Sequence, residues 1–87
     1  MSEESKITIG NKPLIDYIVS LAILFNQGIR RIIIRGSGDK ISKAIAVYNA
    51  LKERMGDAVK LNDVRIGSEN RRGRMVSYIE IVVEKVL

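Results

Sequence analysis

The 87 residues contain no cysteine and no histidine, and 46% are hydrophobic against 29% charged, which suits one globular domain spanning residues 1–87 and leaves no material for a second core. The two absences exclude disulfides, thiolate and imidazole metal sites, and every Ser-His or Cys-His nucleophile, so no cofactor, metal or catalytic residue is expected. A net charge of +5 favours a polyanionic partner. No apolar run approaches the roughly 20 residues that span a bilayer, so no membrane partner is expected.

Met1 to Ser5 is polar and is expected to fray. Lys6-Ile7-Thr8-Ile9 alternates and reads as a short strand ending at Gly10. Pro13 suits a first helical position, and the helix should run to about Asn26 with Gly28 left-handed just beyond. Leu14, Ile18, Leu21 and Phe25 form one apolar stripe, and Ile15, Val19, Ala22 and Ile23 carry apolar surface further round. One sheet covers only one side of such a helix, so its second side should meet another subunit. A domain this small usually needs that kind of support.

Ile29 to Arg35 reads as a buried strand, and Gly36-Ser37-Gly38-Asp39 as the turn after it, with Asp39 as the cap of a second helix. Ile41, Ala44, Ile45, Tyr48, Leu51 and Met55 make that helix's inner face, and Gly56 ends it. Val59 to Gly67 reads as a strand whose apolar phase slips near Asn62-Asp63, the mark of a bulge. Ser68 to Gly73 reads as a polar connection and Arg74 to Val86 as the last strand, closing a hairpin. The order is β-α-β-α-β-β, an α+β two-layer sandwich.

The positive charge is concentrated. Residues 30–43 set Arg30, Arg31, Arg35, Lys40 and Lys43 against Asp39, and residues 65–74 set Arg65, Arg71, Arg72 and Arg74 against Glu69. The Gly36-Ser37-Gly38 turn fails both the P-loop and the dinucleotide patterns, but a strand-to-helix turn still aims backbone N–H groups at anions. Lys40 and Lys43 oppose the helix dipole there, which an anionic ligand would explain. Three arginines within Arg71 to Arg74 repel one another unless a polyanion is present, and a two-stranded ribbon is narrow enough to enter a groove of duplex DNA. Tyr17, Tyr48 and Tyr78 lie in apolar patterns, away from the basic clusters, and are read as core or interface rather than as base-stacking platforms.

Four segments carry a resemblance: Ile9-Gly10-Asn11-Lys12-Pro13-Leu14, Leu24-Phe25-Asn26-Gln27-Gly28, Arg35-Gly36-Ser37-Gly38-Asp39-Lys40-Ile41-Ser42-Lys43-Ala44, and Arg65-Ile66-Gly67-Ser68. Together, and in register along the chain, they resemble Alba, a family of archaeal chromatin proteins. The resemblance implies a fold similar to the C-terminal domain of translation initiation factor three and a homodimer with the first helix near its two-fold axis. It implies coating of double-stranded DNA with little sequence preference, and a chromosome-associated place in the cytoplasm. Lys12, Arg35, Lys40, Lys43, Arg71, Arg72 and Arg74 would contact nucleic acid; Leu21, Phe25 and Met55 would line dimer or dimer–dimer contacts. Asn11 stands where the family often has an acetylated lysine, the hairpin arm is shorter than in the commonest members, and Met55 replaces a phenylalanine. These departures resemble a second Alba paralogue and allow a heterodimer with another. RNA binding, or service as a ribonucleoprotein subunit, is the alternative, since phosphate is common to both polymers. A phosphate-handling enzyme on the Gly36–Gly38 turn is the least favoured class.

Overall fold

A computed structural model describes residues 4–87. Strand β1 (Glu4–Thr8) leads to helix α1 (Leu14–Asn26), then β2 (Arg31–Ser37), α2 (Ile41–Met55), β3 (Val59–Arg71) and β4 (Arg74–Lys85). One sheet has the order β1-β2-β4-β3, with β1 parallel to β2 and the other pairs antiparallel. The β-α-β-α-β-β reading therefore holds. Of the residues expected to fray, Glu4 and Ser5 pair with Arg31 and Ile32 in β1, and residues 1–3 lie outside the described residues.

The core lies between the helices and one face of the sheet. Ile32 and Ile34 from β2 and Ile81 and Val83 from β4 point into it by period-two alternation, opposite one another as Ile32↔Val83 and Ile34↔Ile81. Leu21 and Phe25 from α1 and Ala44, Val47 and Leu51 from α2 close it, all of them essentially unexposed. Each large side chain so buried contributes about 1.5–3 kcal/mol. This corrects the reading of Leu21 and Phe25 as interface residues: they fill the chain's own core. The inner face of α2 is also rotated from the expected one, with Val47 buried and Ile45 40% exposed.

The bulge falls where the slipped phase put it, between Leu61 and Asp63. The turn before α2 does not follow expectation. β2 continues through Gly36 to Ser37, Gly38–Lys40 forms a short 3-10 turn, and the cap position is Lys40 with no side-chain cap bond, so Asp39 caps nothing. Gly36 is needed for the approach that results: a Cβ there would lie 2.5 Å from the Lys40 carbonyl oxygen and 2.8 Å from Ala44 Cβ. Among the described residues no helix is long and apolar enough to cross a membrane.

Candidate nucleic-acid interface

The hairpin is longer than its polar sequence suggested. Ser68 to Arg71 is strand, paired with residues 74–77, so the expected loop shrinks to Arg72-Gly73. Both turn residues have positive φ, 53° and 81°, as a two-residue hairpin turn of primed type requires, and Asn70 Oδ1 accepts the Gly73 N–H at 2.8 Å. β2 ends at Ser37, opposite Tyr78, so the strands beyond that row leave the sheet as a two-stranded arm. Arg71, Arg72 and Arg74 are exposed at its tip. Arg71 Nε lies 3.4 Å from a Glu69 carboxylate oxygen, whereas Arg72 and Arg74 make no hydrogen bond or ion pair among the described residues.

A second basic element is the Gly10–Lys12 loop. Tyr17, 5% exposed, accepts the Gly10 N–H at 2.7 Å and the Lys12 N–H at 3.3 Å on its hydroxyl oxygen. From α2, Lys43 Nζ donates to the Gly10 carbonyl at 3.1 Å and to the Lys12 carbonyl, and lies 5.4 Å from the Tyr17 ring centre. The loop is thus held by its N–H groups from one helix and by its carbonyls from the other, leaving the exposed Lys12 side chain outermost. This changes the reading of Lys43. Its position against the helix dipole is explained by two backbone carbonyls of its own chain. Lys40, half-buried at the same helix end, pairs among the described residues with the exposed Asp39 carboxylate at 3.9 Å.

These elements adjoin. Lys43 ties the α2 start to the loop, and at Gly38 a Cβ would lie 3.7 Å from Val76 on the arm, so the 3-10 turn touches the arm's base.

Arg35 departs from its expected role. Its side chain is 16% exposed; Nη1 donates to Glu80 at 2.8 Å, Nη2 pairs with Glu69, and the guanidinium carbon sits 4.2 Å from the Tyr78 ring centre. The Glu80 hydrogen bond, with Glu69 adding, raises its pKa above the ordinary arginine value against the opposing effect of burial. With two carboxylates on it, Arg35 is not a free cation. Farther down the helix-free face, Asn62, Lys60 and Arg31 surround Glu84 and hold its carboxyl below the usual range.

Sequence reasoning found the basic positions and missed what holds them: Tyr17, Glu69, Tyr78 and Glu80. The tyrosines carried a partial signal in their apolar setting. The Glu69 and Glu80 pairings span the β2-β4-β3 order, which no local pattern encodes.

Among the described residues, two groups of exposed apolar side chains stand out, apart from Ile45, Met75 and the C-terminal Val86 and Leu87. Leu61, Val64 and Ile66 on β3 lie opposite Val83, Ile81 and Ile79, hence on the helix-covered face of the sheet, yet are 46%, 45% and 79% exposed. Ile15, Val19 and Ile23 on α1 form the other, beside an open groove lined by Leu14, Ile15, Ile18, Ala50, Glu53 and Arg54.

The family profile described as Alba matches residues 5–68. The chain is 48% identical over 71 residues to DNA/RNA-binding protein Alba 2 of Saccharolobus solfataricus, an alignment covering 82% of this chain and 80% of that one. It is 32% identical to DNA/RNA-binding protein Alba of Pyrobaculum calidifontis across 97% of this chain and 98% of the other. In three dimensions it is similar to Alba from Thermoplasma volcanium, with a TM-score of 0.83 and 31% identity over 92% of this chain and 99% of that one. With this fold, these basic elements and these relatives, the chain belongs to the Alba family.

Proposed function

We propose that the protein is a homodimer that coats double-stranded DNA with little regard to sequence, compacting archaeal chromatin as a nucleoid-associated binding protein rather than an enzyme. The observation that carries this is the arm. A two-stranded projection ends in three exposed arginines, and Arg72 occupies a left-handed turn position that Asn or Gly fills at lower cost. Strain of that kind persists where the side chain serves a purpose. Lys12, Lys40 and the arm's Arg71, Arg72 and Arg74 neutralise phosphates, while Lys43 and Arg35 act mainly by holding those elements in place.

The second copy packs on the inner face of β3. β3 is an edge strand of 13 residues with an exposed apolar row continuous with the core, and a long bare edge of this kind is normally covered. The α1 patch and its groove, lined on the α2 side by Ala50, Glu53 and Arg54, serve contacts between dimers, with Met55 partly buried against the core behind them; a paralogue presenting the same β3 face would give a heterodimer.

If a dimer neutralises about 6–10 phosphates, affinity falls by roughly 10³–10⁵ between about 50 and 200 mM salt, because that many counterions are released on binding. Filter binding across this range on two unrelated duplexes tests it: steep, parallel lines are expected, and a flat response overturns the phosphate mechanism. The printed names of the relatives include RNA, so structured RNA belongs in the same assay as competitor. RNA displacing duplex DNA at equal phosphate concentration would favour the RNA reading.

A further inference from the structure

Beyond Ser37 the arm has no neighbouring strand among the described residues, and a lone two-stranded hairpin is marginal in water. Its direction must be fixed at its base. Tyr78, in the last row that β2 reaches, lies across Gly67, its cross-strand partner: a Cβ on Gly67 would meet the Tyr78 hydroxyl oxygen at 2.6 Å and two ring carbons at 2.8 and 3.0 Å. Arg35 stacks on that ring. From there its guanidinium reaches two strands at once, bonding Glu80 directly opposite on β4 and Glu69 on β3, one of the residues beyond the end of β2. An ion pair this shielded contributes more than an exposed one, and each acidic partner accepts from a separate guanidinium nitrogen.

We propose that Gly67, Tyr78, Arg35 and Glu69 form a latch that sets the pitch of the arm, so that these are positioning residues for nucleic-acid binding rather than contacts with it. The proposal rests on the nucleic-acid reading above. It assigns a purpose to the glycine of Arg65-Ile66-Gly67-Ser68: the ring occupies the space of the missing side chain, and the ring carries the arginine. A preset arm loses less conformational freedom when its arginines engage a groove.

Two substitutions that leave the charge unchanged test it. Gly67→Ala pushes the ring aside, and its backbone is not in the left-handed region; Tyr78→Ala removes the ring. In the free protein, the ¹⁵N heteronuclear NOE of amides 68–76 should fall in both variants relative to amides of β2 and α2. Affinity for duplex DNA should fall roughly tenfold in both, and the loss should disappear when Arg71, Arg72 and Arg74 are already alanine. In a Tyr78→Ala background Gly67→Ala should add nothing. Arm amides as rigid in the variants as in the parent would overturn the latch. So would a Gly67→Ala loss of equal size with the arm arginines absent. If Gly67→Ala does not fold, Tyr78→Ala alone carries both readouts. A loosened arm on a protein whose parent ignores nucleic acid supports the latch and overturns only the function it rests on.

Discussion

Single atoms decide the geometry of the Gly10–Lys12 loop. The Tyr17 hydroxyl oxygen accepts two backbone N–H groups in a nearly buried position, and deleting it leaves both without that partner. Stranding a part-buried donor costs about 1–3 kcal/mol. Tyr17→Phe should therefore lower the unfolding free energy by about that amount, read by urea titration. It should also weaken DNA binding, because Lys12 is delivered by the loop that moves. A Phe variant as stable as the parent would show that the loop is held by Lys43 alone. In the sequence Tyr17 reads as core, which is correct for the ring. The hydroxyl's partners lie five and seven residues back, outside helical spacing, so the loop contact was not legible.

Elements were legible where burial imposes a period. Ile32 and Ile34 and the α1 stripe report a side that faces apolar neighbours, the slip near Asn62 marks the bulge, and the strands and helices fall along the chain where those patterns put them, although the inner face of α2 is rotated. The arm was not legible for the same reason. Ser68 to Arg71 contacts mainly water and its partner strand, so no alternation marks it, and its polar residues read as loop. Its true signal was the turn: Asn70 accepts the Gly73 N–H across a reversal made of Arg72 and Gly73, and of those two Arg72 is the unexpected one. Arg72→Asn separates conformation from charge. Asparagine tolerates the left-handed position better than arginine, so the melting temperature should stay level or rise. Affinity should fall on all sequences alike, and the salt slope should drop by about one per arm. If binding is unchanged, the turn arginine does not meet phosphate and the strained position needs another explanation.

At the scale of the whole molecule, the covered and uncovered parts of one sheet face bear on the proposed dimer. Two helices shield Ile79, Ile81 and Val83, but the β3 residues opposite them, Ile66, Val64 and Leu61, stand open. The surplus of apolar surface was visible in the sequence; its address was not. Helix α1 looked like the interface because it is apolar all round, yet its Leu21 and Phe25 are consumed by the core. β3 looked ordinary because only the sheet order, with β3 at the edge, leaves its inner row bare. Ile66→Asp tests which patch joins the two copies. A charge at the most exposed position of the β3 row must lose its water if a partner packs there, so sedimentation velocity should show the variant as a monomer where the parent is a dimer. The parent's melting temperature should rise with protein concentration, and the variant's should not. Ile15→Asp, on the α1 patch, should stay dimeric and coat DNA less densely. If Ile15→Asp yields the monomer instead, the two copies meet through α1, and the β3 row is left to the contacts between dimers. Ile66, more exposed than either, leaves water only when something packs on β3, so its substitution reports on that face alone.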